Sequence, residues 1–391
     1  MTPAVSPLQP VPERNLGEQA KAGISGAVMQ HRIRGHILTP GQLDADLIAL
    51  WKQFCQADPL YGNPFYWPQF TLAVAQARSD ARVAVLERAG DVIGFLPFHL
   101  TAGRIGKPIG GHINDYHGPV LAPDVSVNGE ALLGAAGLVA FDYNHLPAVF
   151  AGLTHAAHSK AWSPQMDLAG GYAAYVARQD SRWTKAQREV RRRHRNTEAE
   201  FGQIRFTWHD PSDAIFRQLV EMKNCQYARL GIGMRMTSGW AGEVIERLRQ
   251  AQDDDFACVT STLHAGDRLI AAHFGLRTSS VLHWWYPTYD QALAKLGPGI
   301  NLVNHCAMAA AELGLTTIDF GKGNEDFKLH FANRQVALRE GSIVIPGSLA
   351  AQLRRGSNAL VSLASRLPLG RYRSYPRRTV SRLISGVGLP G

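Results

Sequence analysis

The run Asp319-Phe320-Gly321-Lys322-Gly323-Asn324-Glu325-Asp326-Phe327-Lys328 gathers carboxylates and ammonium groups around two glycines. A carboxylate at a strand end, followed by a flexible Gly-Lys-Gly loop, is the usual geography of function, because loops on a rigid frame carry binding and catalytic groups. Asp319 or Glu325 is suited to act as a general base, directly or through water, for an attacking group that must lose a proton. Lys322 and Lys328 would hold a phosphate or carboxylate of either substrate. A salt-bridged loop that merely closes a sheet fits the same residues. Asp319-Phe320-Gly321 also spells a kinase metal-binding triplet, but neither a His-Arg-Asp loop nor a glycine-rich strand accompanies it.

Asp115-Tyr116, flanked by His112 and His117, forms a second polar group. It reads as a polar binding loop, as a simple turn, or as a His-x-x-Asp-x-His metal site lacking a further ligand cluster. Gly297-Pro298-Gly299 opens an apolar stretch beginning Ile300-Asn301. Glycines there allow close backbone approach, and proline at a helix start sacrifices only one donor. Arg188, Arg191, Arg192 and Arg195 recur at helical spacing and share one face, which either receives phosphates or is simply solvated. His273, His283, Trp284 and Trp285 sit on alternating runs, where consecutive side chains face opposite ways. Core packing accounts for most of them, and for Cys306. The sequence has no Gly-x-Ser-x-Gly elbow and no His-Glu-x-x-His pair, against the familiar hydrolases and zinc proteases.

The elements that must position these groups follow from periodicity. Three β-rich runs begin at Phe256, the first two joined at Ala265-Gly266-Asp267, a tight-turn composition. A helix over 300–313 and a short strand over 316–320 come next. Earlier, a helix over 43–56, a hairpin around Arg88-Ala89-Gly90-Asp91, a loop and a helix over 129–144 repeat that order. Helices over 183–201, 213–230 and 239–250 lie between. The parallel order predicts an internal duplication, with one large undivided mixed sheet as the alternative.

An antiparallel meander, a glycine-opened helix and one more strand resemble the GNAT acyltransferase superfamily, and within it the CelD/BcsL (BioF2-like) acetyltransferases of bacterial exopolysaccharide and cellulose synthesis. The resemblance rests on Asp267-Arg268-Leu269-Ile270-Ala271-Ala272, the Gly-Pro-Gly turn, and the run from Ile318 to Lys328. It implies an α/β (α+β) fold of tandem GNAT-like domains, each a mixed, mostly antiparallel sheet flanked by helices. The expected division is a disordered segment over 1–38, domains over 39–180 and 181–346, and a basic tail over 347–391. It also implies an acyl-CoA donor, acetyl-CoA foremost, with its diphosphate on the backbone N–H groups around Gly297, Gly299, Ile300 and Asn301, where the helix dipole helps. Where the family usually carries Gln or Arg three residues before its first glycine, this chain has Ala294. Tyr286 or Tyr289 would protonate the leaving thiolate. Asp115 and Tyr116 match an aspartate-aromatic pair near the acceptor cleft, with Asp115 next in line as base. The implied acceptor is a sugar, free or lipid-linked, acylated on N or O, and no metal is implied. A Fem-like ligase drawing on charged tRNA, and a catalytically degenerate scaffold in a polysaccharide-synthase complex, are the competing readings.

Composition narrows the setting. The chain has 391 residues, 45% hydrophobic and 19% charged, which fits a globular protein of two domains. Its longest apolar run, over 131–141, is too short to span a bilayer and reads as helix. The first residues lack a charged region followed by an apolar one, so no secretory signal is expected. Four scattered cysteines without CxxC spacing fit a reducing compartment, hence the cytoplasm. The net charge of +9 is local: residues 341–391 contribute +8 and 181–195 contribute +6, leaving −5 for the rest. Nucleic-acid binding fits this charge but lacks any recognisable module, so nucleic acid is not an expected partner. The eight arginines of the tail, with leucines at roughly helical spacing over 350–369, suggest peripheral contact with the inner face of a membrane.

Overall fold

The computed structural model describes residues 9–10, 32–154 and 157–348. In chain order its strands are β1 (Gln9–Pro10), β2 (Arg34–Leu38), β3 (Ala81–Arg88), β4 (Asp91–Thr101), β5 (Ile105–Pro108), β6 (Val120–Leu121), β7 (Ala140–Pro147) and β8 (Ser159–Asp167). They continue as β9 (Ile204–Thr207), β10 (Phe256–Ala265), β11 (Arg268–Thr278), β12 (Val281–Tyr289), β13 (Thr317–Asp319) and β14 (Arg334–Val344). The helices are α1 (Ala45–Ala57), α2 (Pro68–Ala77), α3 (Gly129–Ala135), α4 (Ala151–Thr154), α5 (Gly171–Ala177) and α6 (Ser181–Phe201). After them come α7 (Asp213–Arg229), α8 (Gly239–Arg249), α9 (Pro298–Glu312) and α10 (Asp326–Phe331).

All the described strands join one sheet, in the order β2-β3-β4-β5-β7-β14-β8-β13-β12-β11-β10-β9, with β1 on β14 and β6 on β4. The order is symmetric about the β14–β8 pair. On each side an antiparallel hairpin leads to a third strand, a helix and a parallel strand: β5-α3-β7 and β12-α9-β13. The closing strand of each half is then exchanged. β8 pairs with β13 of the second half, and β14 pairs with β7 of the first. The expected duplication is present, within a sheet that is nevertheless continuous. The fold is a tandem duplication of mixed, mostly antiparallel units flanked by helices, and the exchange fuses them into a continuous sheet.

Local chemistry sets most element ends. Asp44 caps α1 and Asp180 caps α6, each carboxylate accepting an N–H from the first turn. Gly202, with φ of 96°, stops α6. The helix expected over 129–144 is shorter. Gly137 turns left-handed at φ 64°, ending α3, and the following residues alternate into β7. Residues 34–38, expected to be disordered, form edge strand β2 against β3, and Gln9–Pro10 pairs with β14. The basic tail from 349 onward lies outside the described residues. α9 buries Leu302, Val303, Cys306, Ala307 and Ala310, which makes Cys306 core.

The exchange makes the halves thermodynamically inseparable. Leu338 of β14 is fully buried and lies opposite Ala161 of β8 and Pro147 of β7. Urea unfolding followed by tryptophan fluorescence and by far-ultraviolet circular dichroism should give one coincident transition. Leu338→Ala should lower its free energy by about 2–5 kcal/mol without splitting it. Two separate transitions would mean that the halves fold independently.

Candidate functional site

β12 and β13 are parallel neighbours only from Val281/Thr317 to His283/Asp319. Beyond that pair β13 turns away while β12 runs on to Tyr289. The register of β12 against β11 slips between Phe274 and Leu276, so that two residues of β12, Trp284 and Trp285, stand against one of β11. Such a bulge re-aims backbone and side chains, and is common beside active sites. Trp284 packs on the α9 side and Trp285 on the other, as alternation predicts. His273 stacks on Trp284 at 3.8 Å between ring centroids and is wholly buried, a core residue.

Asp319 closes β13 with its side chain completely buried. Its Oδ1 accepts from Ser163 Oγ at 2.7 Å and from the Gly321 N–H at 2.8 Å. Its Oδ2 accepts from Tyr116 Oη at 2.7 Å and from Gln165 Nε2 at 2.6 Å. Ser163 and Gln165 stand on the exchanged strand β8, and Tyr116 comes from the first half. Four donors occupy the carboxylate's lone pairs, and solvent does not reach it. The expectation that Asp319 itself removes a proton is therefore corrected: its place is structural, holding the neighbours that face the cleft.

One of those neighbours is Gly321. Its φ is 69°, and a Cβ there would lie 2.7 Å from Asp115 Oδ2 and 3.5 Å from His283 Cε1, so glycine is required twice over. Asn63, in the turn before α2, has its amide orientation set by the Phe65 N–H on Oδ1, so Nδ2 donates to His283 Nδ1 at 3.1 Å. His283 must then carry its proton on Nε2, which donates to Asp115 Oδ2 at 3.0 Å. Burial pushes the Asp115 carboxyl up. The His283 hydrogen bond, with the fields of His283, His145 and Lys328, more than offsets this and holds it below the usual carboxylate range. The Asp115 side chain keeps 29% of its exposure while His283 has none, so Asp115 is the member that can meet a substrate. His145 Nε2 lies 4.0 Å from Asp115 Oδ1, and burial lowers His145 to about 4.

Lys328 donates to the Lys322 carbonyl at 2.9 Å and pairs with Glu325 at 3.0 Å. Glu325, the residue preceding α10, is 58% exposed. Lys322 reaches back to the Asn144 carbonyl at 3.4 Å. Asp115, Tyr116, Lys322, Glu325 and Lys328 are thus brought together around Gly321 where the halves meet. The His112, Asp115 and His117 set does not form a metal site. His112 meets Trp240 edge-on, and His117 Nε2 accepts the Asn144 and His145 N–H groups. Among the described residues no group of His, Cys, Asp and Glu could hold a metal ion.

The α9 terminus lies at the far end of β12. Gly297 is left-handed and leaves the helix without a side-chain cap, and Pro298 occupies the first turn. Gly299 packs on the Tyr289 ring, which would lie 3.2 Å from an added Cβ, while Ile300 is half-buried and Asn301 buried. Tyr286 is buried among apolar neighbours and pushed well up by burial. On α6, Arg188 and Arg192 face solvent, and Arg192 is paired with Glu189 at 2.7 Å. The structure places these two, expected to bind substrate, on an exposed face of α6, with Arg192 held in that ion pair. The arginine that reaches α9 is Arg193, whose guanidinium would lie 3.7 Å from a Cβ on Gly297.

Sequence reading did not single out Asn63, Ser163, Gln165 or Arg193, and no local signal marks them. The four-donor arrangement predicts the effect of one isosteric change. In Asp319→Asn the new NH2 group must face either Gln165 Nε2 or the Gly321 N–H, both donors. Gln165 cannot flip freely, since its Oε1 accepts from Arg334 Nε at 3.0 Å. Stability should fall by about 1–3 kcal/mol, read by urea or thermal unfolding. An unchanged midpoint would show that the amide is accommodated.

Residues 184–329 match the family model described as acetyltransferase (GNAT) domain. No curated protein matches the sequence. Among solved structures, FemX superposes with a TM-score of 0.52 at 12% identity, covering 81% of this chain and 99% of FemX. A domain provisionally named as the C-terminal domain of a lysylphosphatidylglycerol synthetase from Agrobacterium fabrum superposes with a TM-score of 0.51 at 13% identity, covering 81% and 96%. At these identities the likeness is one of fold. Residues 184–329, which include the β12–β13 pair and the α9 terminus, are thus similar to an acetyltransferase (GNAT) domain within a tandem fold.

Proposed function

We propose that the protein transfers an acyl group from acyl-CoA to an amine or hydroxyl, with the thioester lying in the wedge where β12 parts from β13. The observation that carries this reading is the layout of β12. Its bulge and its last pair with β13 stand at His283, and its other end touches the glycine-opened terminus of α9. The six residue steps from His283 to Tyr289 span roughly 20 Å at a strand's rise, a distance a pantetheine arm can bridge. In this reading the diphosphate rests on the N–H groups around Gly299, Ile300 and Asn301, with Arg193 beside them in the role that Ala294 cannot fill. Tyr289, against Gly299, borders the cofactor rather than the thiolate.

Asp115 is the base. Its Oδ1 remains available while His283 occupies Oδ2, and Asn63 fixes the ring. The carboxylate takes the proton of the attacking N–H or O–H, the new bond forms at the thioester carbon, and the C–S bond breaks to release the CoA thiolate. Asp319 positions this pair by holding Gly321 and Tyr116. The acceptor we favour is a sugar or lipid-linked sugar of exopolysaccharide assembly, supported by the resemblance of the Ile318 to Lys328 run to the CelD/BcsL-type enzymes. The fold shared with FemX supports a second reading, a ligase moving an aminoacyl group from charged tRNA. Calorimetry with acetyl-CoA and with charged tRNA separates the two, and silence toward both would leave a scaffold role.

Asp115→Asn should lower kcat by at least about a hundredfold while leaving acetyl-CoA affinity unchanged. A near-normal rate would move the base elsewhere, with Glu325 the next carboxylate to test. Gly299→Val should do the reverse, weakening acetyl-CoA by at least about tenfold through crowding of the diphosphate and of Tyr289. Unchanged affinity in a folded variant would remove the α9 terminus as the cofactor site.

A further inference from the structure

Lys223 of α7 is buried, with 7% of its surface exposed. Its ammonium donates to the Pro287 carbonyl of β12 at 2.8 Å and to Gln226 Oε1 at 3.1 Å, and lies 5.1 Å from the centre of the Tyr227 ring. Two of three donors are used. Among the described residues no carboxylate pairs with it. Burying an ammonium without an anion is costly, and proteins usually avoid it by pairing. The groups around it make the imbalance worse. Lys328 of α10 is near enough to repel it, His273 of β11 lies beneath, and the Tyr227 and Tyr286 phenols are neutral. Asp115, whose field reaches both tyrosines, is already bonded to His283. Lys328 forms its ion pair with the exposed Glu325, and its field also reaches Asp115.

From this geometry, and resting on the acyl-transfer reading of the cleft, we infer that Lys223 and Lys328 form an anion pocket beside Asp115. The pocket takes a carboxylate or phosphate group carried by the acceptor substrate. The third donor of Lys223 and the charge of Lys328 hold that group, while the nucleophile of the same molecule sits against Asp115. Acceptors bearing an acidic group would then be preferred over neutral ones. Burial and the Lys328 charge bring Lys223 down to about 8, so in the empty site its charge fades just above neutral pH. A bound anion restores it.

Sulfate and acetate serve as probes of the two anion chemistries, since neither titrates between pH 6.5 and 9. Calorimetric titration of the full chain at pH 7 should show saturable binding of at least one of them, the tighter identifying the favoured class. Affinity should fall by about tenfold or more in Lys223→Met. It should also fall in wild type between pH 7 and pH 9, as the ammonium is lost. Arg188→Ala should leave this binding in place, because its side chain faces solvent on α6. The pH series keeps the test decisive if Lys223→Met fails to fold. Absence of binding in folded wild type, or affinity indifferent to both Lys223→Met and pH, overturns the pocket. Acetyl-CoA titrated in parallel separates the two conclusions. Its binding without anion binding sinks only the pocket, whereas anion binding without acetyl-CoA binding sinks the acyl-CoA reading beneath it.

Discussion

A carboxylate buried away from water survives only if its neighbours replace the hydration it gave up. Asp319 meets that condition with donors drawn from three places: its own turn, the exchanged strand β8, and the first-half loop at Tyr116. The requirement ties the architecture together. Remove β8 from beside β13, and the carboxylate loses Ser163 and Gln165 at once. Move the first half, and it loses Tyr116. Strand exchange and the buried carboxylate each depend on the other.

The cleft inherits its rigidity from this arrangement. Gly321 turns on the Asp319 carboxylate and comes so close to Asp115 and His283 that no side chain fits between them. Asn63 then fixes the His283 tautomer from the opposite side, and His283 aims one oxygen of Asp115 inward and leaves the other toward the opening. Each member is held by a group from a different element. Such support is what keeps a reacting group within the narrow geometry that catalysis needs. The second half supplies the wedge and the helix terminus, and the first half supplies the carboxylate that faces them.

Charge is distributed with similar economy. The arginines of α6 that dominate the local charge count lie on a solvated face, and Arg192 is neutralised by Glu189. Lys223 and Lys328, by contrast, are buried. A count of charges along the chain cannot separate these cases, because the cost of a charge depends on its burial and partners rather than on its number.

What the sequence determined by itself was everything governed by neighbours a few residues apart. The meander from Phe256, the helix opened by Gly297-Pro298-Gly299, the short strand ending at Asp319 and the helices α6, α7 and α8 lie within a few residues of where periodicity and turn chemistry put them. The repeated order predicted the duplication. The expected helix over 129–144 failed because its apolar run continued through Gly137, where helix and strand patterns are indistinguishable until the chain must pair. Only the tertiary structure decided that β8 and β14 change sides, since their pairing is chosen by partners more than a hundred residues away. It alone turned Asp319 from a candidate base into an anchor and brought Asn63 and Asp115 to His283. It also left Lys223 buried without a counter-ion among the described residues. Spacing along a chain reports which side chains share a face, but a site assembled across two halves is fixed by burial and hydrogen-bond geometry that no local pattern encodes.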